Sequence, residues 1–236
     1  MIAENIEHLK KSIAQITRNC GRDENSVRLV AVSKRFPPEA VIEAKNAGQL
    51  LFGENYIQEA QEKFDLIGNA VQFHFIGHLQ SNKAKIAAEL FAMVETVDRI
   101  KLAAALNKHL LDLDRTLDVL VQVNIGRDDN KSGVQPEDAE KLLQEIGRLP
   151  KLRVRGLMTM PPFTENPEDA RPYFRNLKNL ADSMAEKNLF YDNKNIELSM
   201  GMTHDYPIAI EEGATLVRIG TAIFGERPTK VRQDTA

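Results

Sequence analysis

Three short stretches of the chain hold residue types that together suit one piece of chemistry. The run Arg28-Leu29-Val30-Ala31-Val32-Ser33 ends on Lys34; Leu198 is followed by Ser199, Met200 and Gly201; and Val217-Arg218-Ile219 is followed by Gly220 and Thr221. A lysine closing an apolar strand is partly desolvated, which lowers its pKa and frees the amine to attack a carbonyl. If it snorkels, its head stays in water and it does no such thing. Glycines let a backbone approach an anion, and Ser199 and Thr221 add hydroxyl donors. Either turn alone is an ordinary strand-to-helix connection, because Ser, Thr and Gly are common turn residues. An amine and two anion-friendly turns brought together would fit a phosphorylated aldehyde. Arg218 is a charge within an apolar strand and needs a partner, either a carboxylate inside the fold or the ring nitrogen of a bound cofactor. His74 and His78 lie on a strand and the loop after it with no third ligand in view, so no metal is expected. Lys83 and Lys85 read as a solvated helix face.

The elements that must position these residues alternate. Ile2, Ile6, Leu9, Ile13 and Ile16 recur at helical spacing and predict a helix from 2 to 19. Strands follow at 28–34, 51–53, 72–77, 92–95, 117–125, 152–158, 195–198 and 215–219. Helices are expected between them at 38–47, 55–66, 81–90, 98–109 (capped by Asp98), 136–149, from Pro167 or Pro172 to 187, and from Thr203 to Gly213. In the longest strand Leu117, Val119, Val121, Val123 and Ile125 face one way, and Leu120, Gln122 and Asn124 the other. Strand–helix alternation implies a parallel sheet, and eight units in this length predict an α/β fold, a (β/α)8 TIM barrel with an extra N-terminal helix. An open doubly wound sheet is the alternative, but no glycine-rich dinucleotide turn follows the first strand. A single domain over 1–236 is expected, with a frayed polar tail after about 226. In such a barrel the site lies at the C-terminal ends of the strands, and phosphate often sits on the loops after strands seven and eight. Those loops are Ser199-Met200-Gly201 and Gly220-Thr221, with the dipole of the helix expected from Thr203 aimed at the same spot.

The composition narrows the partners. The chain has 236 residues, 42% hydrophobic and 28% charged, enough for a large core. A net charge of −3 offers nucleic acid no basic field, and no apolar run reaches membrane-spanning length. The N-terminus is acidic and helix-like, unlike a signal peptide. One cysteine, Cys20, forbids an internal disulfide and fits a reducing, cytoplasmic setting.

The motifs resemble the pyridoxal phosphate homeostasis family, barrels that bind pyridoxal 5′-phosphate (PLP) and are similar to the N-terminal domain of alanine racemase. The resemblance rests on Ala31-Val32-Ser33-Lys34, Gly53-Glu54-Asn55-Tyr56, His74-Phe75-Ile76-Gly77-His78, Val123-Asn124-Ile125 with Lys131-Ser132-Gly133, Arg155-Gly156-Leu157-Met158, Leu198-Ser199-Met200-Gly201-Met202, and Val217-Arg218-Ile219-Gly220-Thr221. It implies an internal aldimine between PLP and Lys34. It implies a phosphate held by Ser199, the Met200-Gly201 backbone, Gly220 and Thr221, with Arg218 at the pyridine nitrogen and Asn55 and Met158 lining the ring. Where the family often has Ser and acidic residues after Met202, this chain has Thr203, His204 and Asp205.

The implied role is intracellular PLP (vitamin B6) homeostasis without catalytic turnover, with PLP-dependent apo-enzymes as candidate recipients and no demand for more than a monomer. A racemase-like PLP enzyme is the alternative. It needs a proton acceptor on each face of the cofactor, and the sequence leaves no room for a second domain after Phe224. Arg218 also keeps the ring nitrogen unprotonated, which weakens the ring as an electron sink. A sugar-phosphate isomerase that uses the phosphate site without PLP is a third reading.

Overall fold

A computed structural model of the chain describes residues 1–226. The polar tail expected after about 226 lies outside them. Eight parallel strands close into a barrel in sequence order: β1 (Arg28–Val32), β2 (Leu51–Glu54), β3 (Gln72–Phe75), β4 (Met93–Val97), β5 (Leu117–Gln122), β6 (Leu152–Met158), β7 (Glu197–Ser199) and β8 (Leu216–Ile219). The seam is β1 on β8, with Val30 opposite Arg218 and Ala31 opposite Ile219. Around it run α1 (Ile2–Asn19), α2 (Pro38–Asn46), α3 (Ile57–Ile67), α4 (Ala84–Leu90), α5 (Ile100–Asp112), α6 (Ala139–Ile146), α7 (Arg171–Glu186), α8 (Tyr206–Glu211) and α9 (Thr221–Phe224). This is the (β/α)8 barrel with an extra N-terminal helix. Among the described residues, no helix is long and apolar enough to cross a membrane.

Strand alternation sorts the core into two bodies. Val30, Leu51, Met93, Leu120, Met158 and Leu216 form a small cluster inside the barrel. Residues one position away, such as Leu29, Ala31, Phe52, Val119, Val121, Leu157 and Val217, join the large cluster between strands and helices. The same alternation carries on past the strand ends. Lys34 lies in the row of Val30, Asn55 in that of Leu51, and Arg218 and Gly220 in that of Leu216, all four facing inward at one end of the barrel.

The extra helix packs its Ile6–Leu9–Ile13 stripe against the barrel's outer shell. Asn5 donates to the Ile223 carbonyl (3.0 Å), Ser12 and Tyr206 share a hydroxyl–hydroxyl bond (2.9 Å), and Arg22 just beyond it donates to the carbonyls of Ile210 and Ala214. α1 therefore braces α8 and α9, the two helices that follow the phosphate-friendly turns.

Two expected helix caps are not formed. α5 begins at Ile100, and the Asp98 carboxylate pairs with Arg99 instead of capping the helix. α8 begins at Tyr206 and has only six residues. Asp205 accepts from the Met202 N–H (2.6 Å), which bends 202–205 into a turn and takes Thr203 out of the cap position. β5 stops at Gln122, three residues early, because beyond it Val123 pairs with Val134 in an isolated bridge. At Gly156 the β7 backbone comes so close that an added Cβ would stand 1.9 Å from the Glu197 carbonyl oxygen, so only glycine allows β6 and β7 to pair there.

Candidate functional site

The inward rows of β1, β2 and β8 open into a cavity of about 210 Å3 at the C-terminal end of the barrel. Lys34, Asn55, Met160, Thr203, Arg218, Gly220 and Thr221 line it. Lys34 sits on a stretch pinned on both sides by α3. The Lys63 ammonium, itself buried, donates to the Ser33 carbonyl (2.7 Å) and to Glu54 (2.5 Å), and the Arg35 N–H donates to Glu59 (2.8 Å). Ser33 adds its hydroxyl to the same Glu54 oxygen (2.6 Å). Arg35 takes a positive φ of 65°, which turns the chain immediately after the lysine. Burial pushes the Glu54 carboxyl above its ordinary value, although Lys63 and Ser33 both oppose this.

Arg218 is nearly fully buried and anchors a hydrogen-bonded chain through the barrel. Its Nη1 donates to the Ser199 hydroxyl (2.6 Å) and its Nη2 to the Thr159 carbonyl (2.8 Å). Ser199 donates to Glu95 Oε2, and Glu95 Oε1 meets His74 Nδ1 at 2.7 Å. Burial alone would raise the Glu95 pKa, yet the His74 hydrogen bond and charge, then Arg218 and Ser199, hold it below the ordinary value. Burial also lowers the Arg218 pKa from its very high ordinary value, with Glu95 and Asp205 resisting. The awkward charge noted in the last strand thus has an interior carboxylate close by, and it also faces the cavity.

The anion end is arranged differently from expectation. Ser199 is fully buried and its hydroxyl is committed to Arg218 and Glu95, so it does not reach the cavity. The Met200 N–H is taken by the Leu216 carbonyl (3.1 Å), and its side chain packs in the outer core. Gly201 gives its carbonyl to the Arg218 N–H (3.0 Å); its φ of +90° and the 2.5 Å that would separate an added Cβ from Ala209 make it a packing glycine. Met158 is buried in the inner cluster, and Met160, one step further along the same inward row, lines the cavity instead. The hydroxyls at the cavity are those of Thr203 and Thr221, 3.3 Å apart, beside Gly220. The six-residue α8 starts too late for its dipole to be the anion site expected from Thr203.

The residues present fit an aldehyde–pyridine–phosphate ligand. An amine, a buried guanidinium, two hydroxyls and a bare glycine surround one cavity. Asn55 adds a buried side-chain oxygen with no hydrogen-bond partner, a group that stays unsatisfied until something donates to it.

Beside it opens a larger space of about 430 Å3, which shares Ile76, Met160, Met202 and His204 as walls. His78 lines it and meets Ser132 (3.2 Å). His74 lies elsewhere, paired with Glu95, so the two histidines are not brought together. Sequence reasoning missed Thr203 and Met160 as wall residues, and Glu95, which Ser199 links to Arg218. The strand period pointed to Met160, two past Met158; nothing local pointed to Glu95.

Comparison with known proteins shows the family. The family model described as "Alanine racemase, N-terminal domain" matches residues 5–228. The "Pyridoxal phosphate homeostasis protein" of Vibrio cholerae is 44% identical over 96% of each chain, and that of Aquifex aeolicus 42% identical over 94% of this chain and 97% of its own. The structure of PipY from Synechococcus elongatus with PLP bound superposes with a TM-score of 0.83 at 33% identity, over 95% of this chain and all of that one. An alanine racemase of Clostridium difficile shares the fold, with a TM-score of 0.69 at 16% identity, over 94% of this chain and 56% of that one. The chain belongs to the pyridoxal phosphate homeostasis protein family, within the alanine racemase N-terminal domain group.

Proposed function

We propose that this protein binds PLP at the barrel mouth and serves PLP homeostasis as a cytoplasmic, monomeric carrier, without turnover of its own. One observation carries the reading: Lys34, Arg218, the unpartnered Asn55 oxygen and the Thr203–Thr221 hydroxyl pair all line a single cavity. In this reading the Lys34 amine holds the cofactor's aldehyde carbon as a Schiff base. Thr203, Thr221 and Gly220 hold the phosphate, and Arg218 faces the pyridine nitrogen. PLP-dependent apo-enzymes are the recipients.

PLP supplies an electrophilic aldehyde and, when its ring nitrogen is protonated, an electron sink. An arginine at that nitrogen keeps it unprotonated and favours storage over carbanion chemistry. The naming of the homologues and the PLP bound in PipY support the reading.

The test is the visible spectrum of purified protein incubated with PLP, followed by borohydride. A visible band that borohydride abolishes, leaving one PLP-sized adduct on the Lys34 peptide, is expected; Lys34→Ala shows neither. An adduct on another lysine, or an unchanged band in Lys34→Ala, overturns the assignment. Turnover is tested separately by α-proton exchange with both enantiomers of several amino acids, where sustained exchange overturns the carrier role.

A further inference from the structure

The opposite end of the barrel, which in this fold ordinarily serves stability, contains another cavity, of about 340 Å3. It opens at the strand starts. Arg28 begins β1, Arg153 and Arg155 lie near the start of β6, and Arg115 precedes β5; all four line it. Only two carboxylates line it with them. Glu197 pairs with Arg28 (2.5 Å) and Asp118 with Arg153 (2.6 Å). Arg115 caps the carbonyls at the end of α4, and Arg155 lies over the Tyr191 ring at 5.6 Å. Four guanidinium groups thus line the cavity against two carboxylates, and Asp192, outside the lining, is the further carboxylate that feels Arg155, so the lining is basic on balance. Forked guanidinium donors gathered in one concavity are the chemistry that recognises a phosphate group.

His74, only 3% exposed, also lines this cavity. It is the far end of the chain His74–Glu95–Ser199–Arg218, whose other end lines the cofactor cavity. Each link is a buried hydrogen bond, and Glu95 and Arg218 within it are ionisable groups of opposite charge. In such a chain a charge placed at one end polarises every bond to the other. We propose that the arginine-lined cavity is a second anion site, for a phosphate group, and that its occupancy is felt at the cofactor site through His74, Glu95, Ser199 and Arg218. The anion site stands apart from the PLP reading; the coupling rests on it.

The test is calorimetric titration of the PLP-incubated full chain with inorganic phosphate at constant ionic strength, with the visible spectrum followed in parallel. Saturable phosphate binding is expected, about tenfold or more weaker in Arg155→Gln, which removes a charge without breaking an ion pair. Binding is expected to persist in Thr221→Val, which alters only the upper cavity. Saturating phosphate should shift the cofactor band in the wild type, and His74→Gln should bind phosphate yet lose the shift. No saturable binding, or binding that Arg155→Gln leaves unchanged while Thr221→Val abolishes it, overturns the site. Binding at the lower site with a static band, or a shift that survives in His74→Gln, overturns the coupling. If no visible band forms at all, the PLP reading fails, and the Arg155→Gln and Thr221→Val titrations still decide the anion site.

Discussion

Ser199 and Thr221 carry the same functional group at the ends of neighbouring strands, yet they serve different purposes. The Ser199 hydroxyl is fully buried between Arg218 and Glu95, accepting from one and donating to the other. Thr221 lines the cavity, 3.3 Å from Thr203. On the proposed PLP reading, Thr221→Val removes a donor to a charged phosphate and should weaken PLP binding by about ten- to a hundredfold, the equivalent of 1.5–3 kcal/mol. Ser199→Ala leaves Arg218 and Glu95 each one partner short. It should lower unfolding stability by about 1–3 kcal/mol and weaken PLP binding less than Thr221→Val does. Equilibrium titration of both variants with PLP, alongside urea unfolding, separates the two. If Ser199→Ala proves the weaker binder and remains fully stable, the roles are reversed.

At the scale of elements, the site depends on how α8 and α9 are held, because they follow the loops that contribute Thr203, Gly220 and Thr221. Arg22, just beyond α1, donates to the carbonyl of Ile210 (2.9 Å) in the last turn of α8, which a helix end leaves short of donors, and to that of Ala214 (2.8 Å) in the link from α8 to β8. Arg22→Ala should cost about 1–3 kcal/mol, read as a lowered urea midpoint with the m-value unchanged. The element order and the closed barrel could be read from the sequence because each strand–helix unit carries its own hydrophobic period and its own turn residues. The cap assignments failed at Asp98 and Thr203 because a nearby residue competed, Arg99 for the Asp98 carboxylate and Asp205 for the Met202 N–H. The inward turn of Ser199 was hidden for a related reason. β7 has three residues, too few to show a period, so the sequence could not say whether its last side chain turns into the barrel or up to the mouth. Met158 and Met160 share one inward row, and only the depth of the barrel decides which of them reaches the cavity.

For the whole molecule, two buried carboxyl groups bias stability in opposite directions as pH changes. Glu95 has its pKa held below the ordinary 4.5: burial would raise it, but His74, Arg218 and Ser199 together outweigh burial. Below 4.5 the unfolded chain takes up this proton before the folded one does. Its stabilising contribution is therefore complete above 4.5 and lost as pH falls through the lower folded value. Glu54 is the reverse. Burial raises its pKa above 4.5, with Lys63 and Ser33 opposing, so the folded state holds a proton that the unfolded state has already released. Stability from this group is greatest at or below 4.5 and declines as pH rises through its raised folded value. Urea unfolding between pH 3 and 8 should therefore give Glu95→Gln a shallower acid-side loss than wild type, and Glu54→Gln a smaller gain on moving down from neutrality toward 4.5. Each difference approaches at most about 1.4 kcal/mol per pH unit, the limit for one proton. Parallel curves for Glu95→Gln and wild type below 4.5 would mean that His74 and Arg218 do not hold Glu95 ionised, and the buried chain between the two cavities would then carry no charge to transmit.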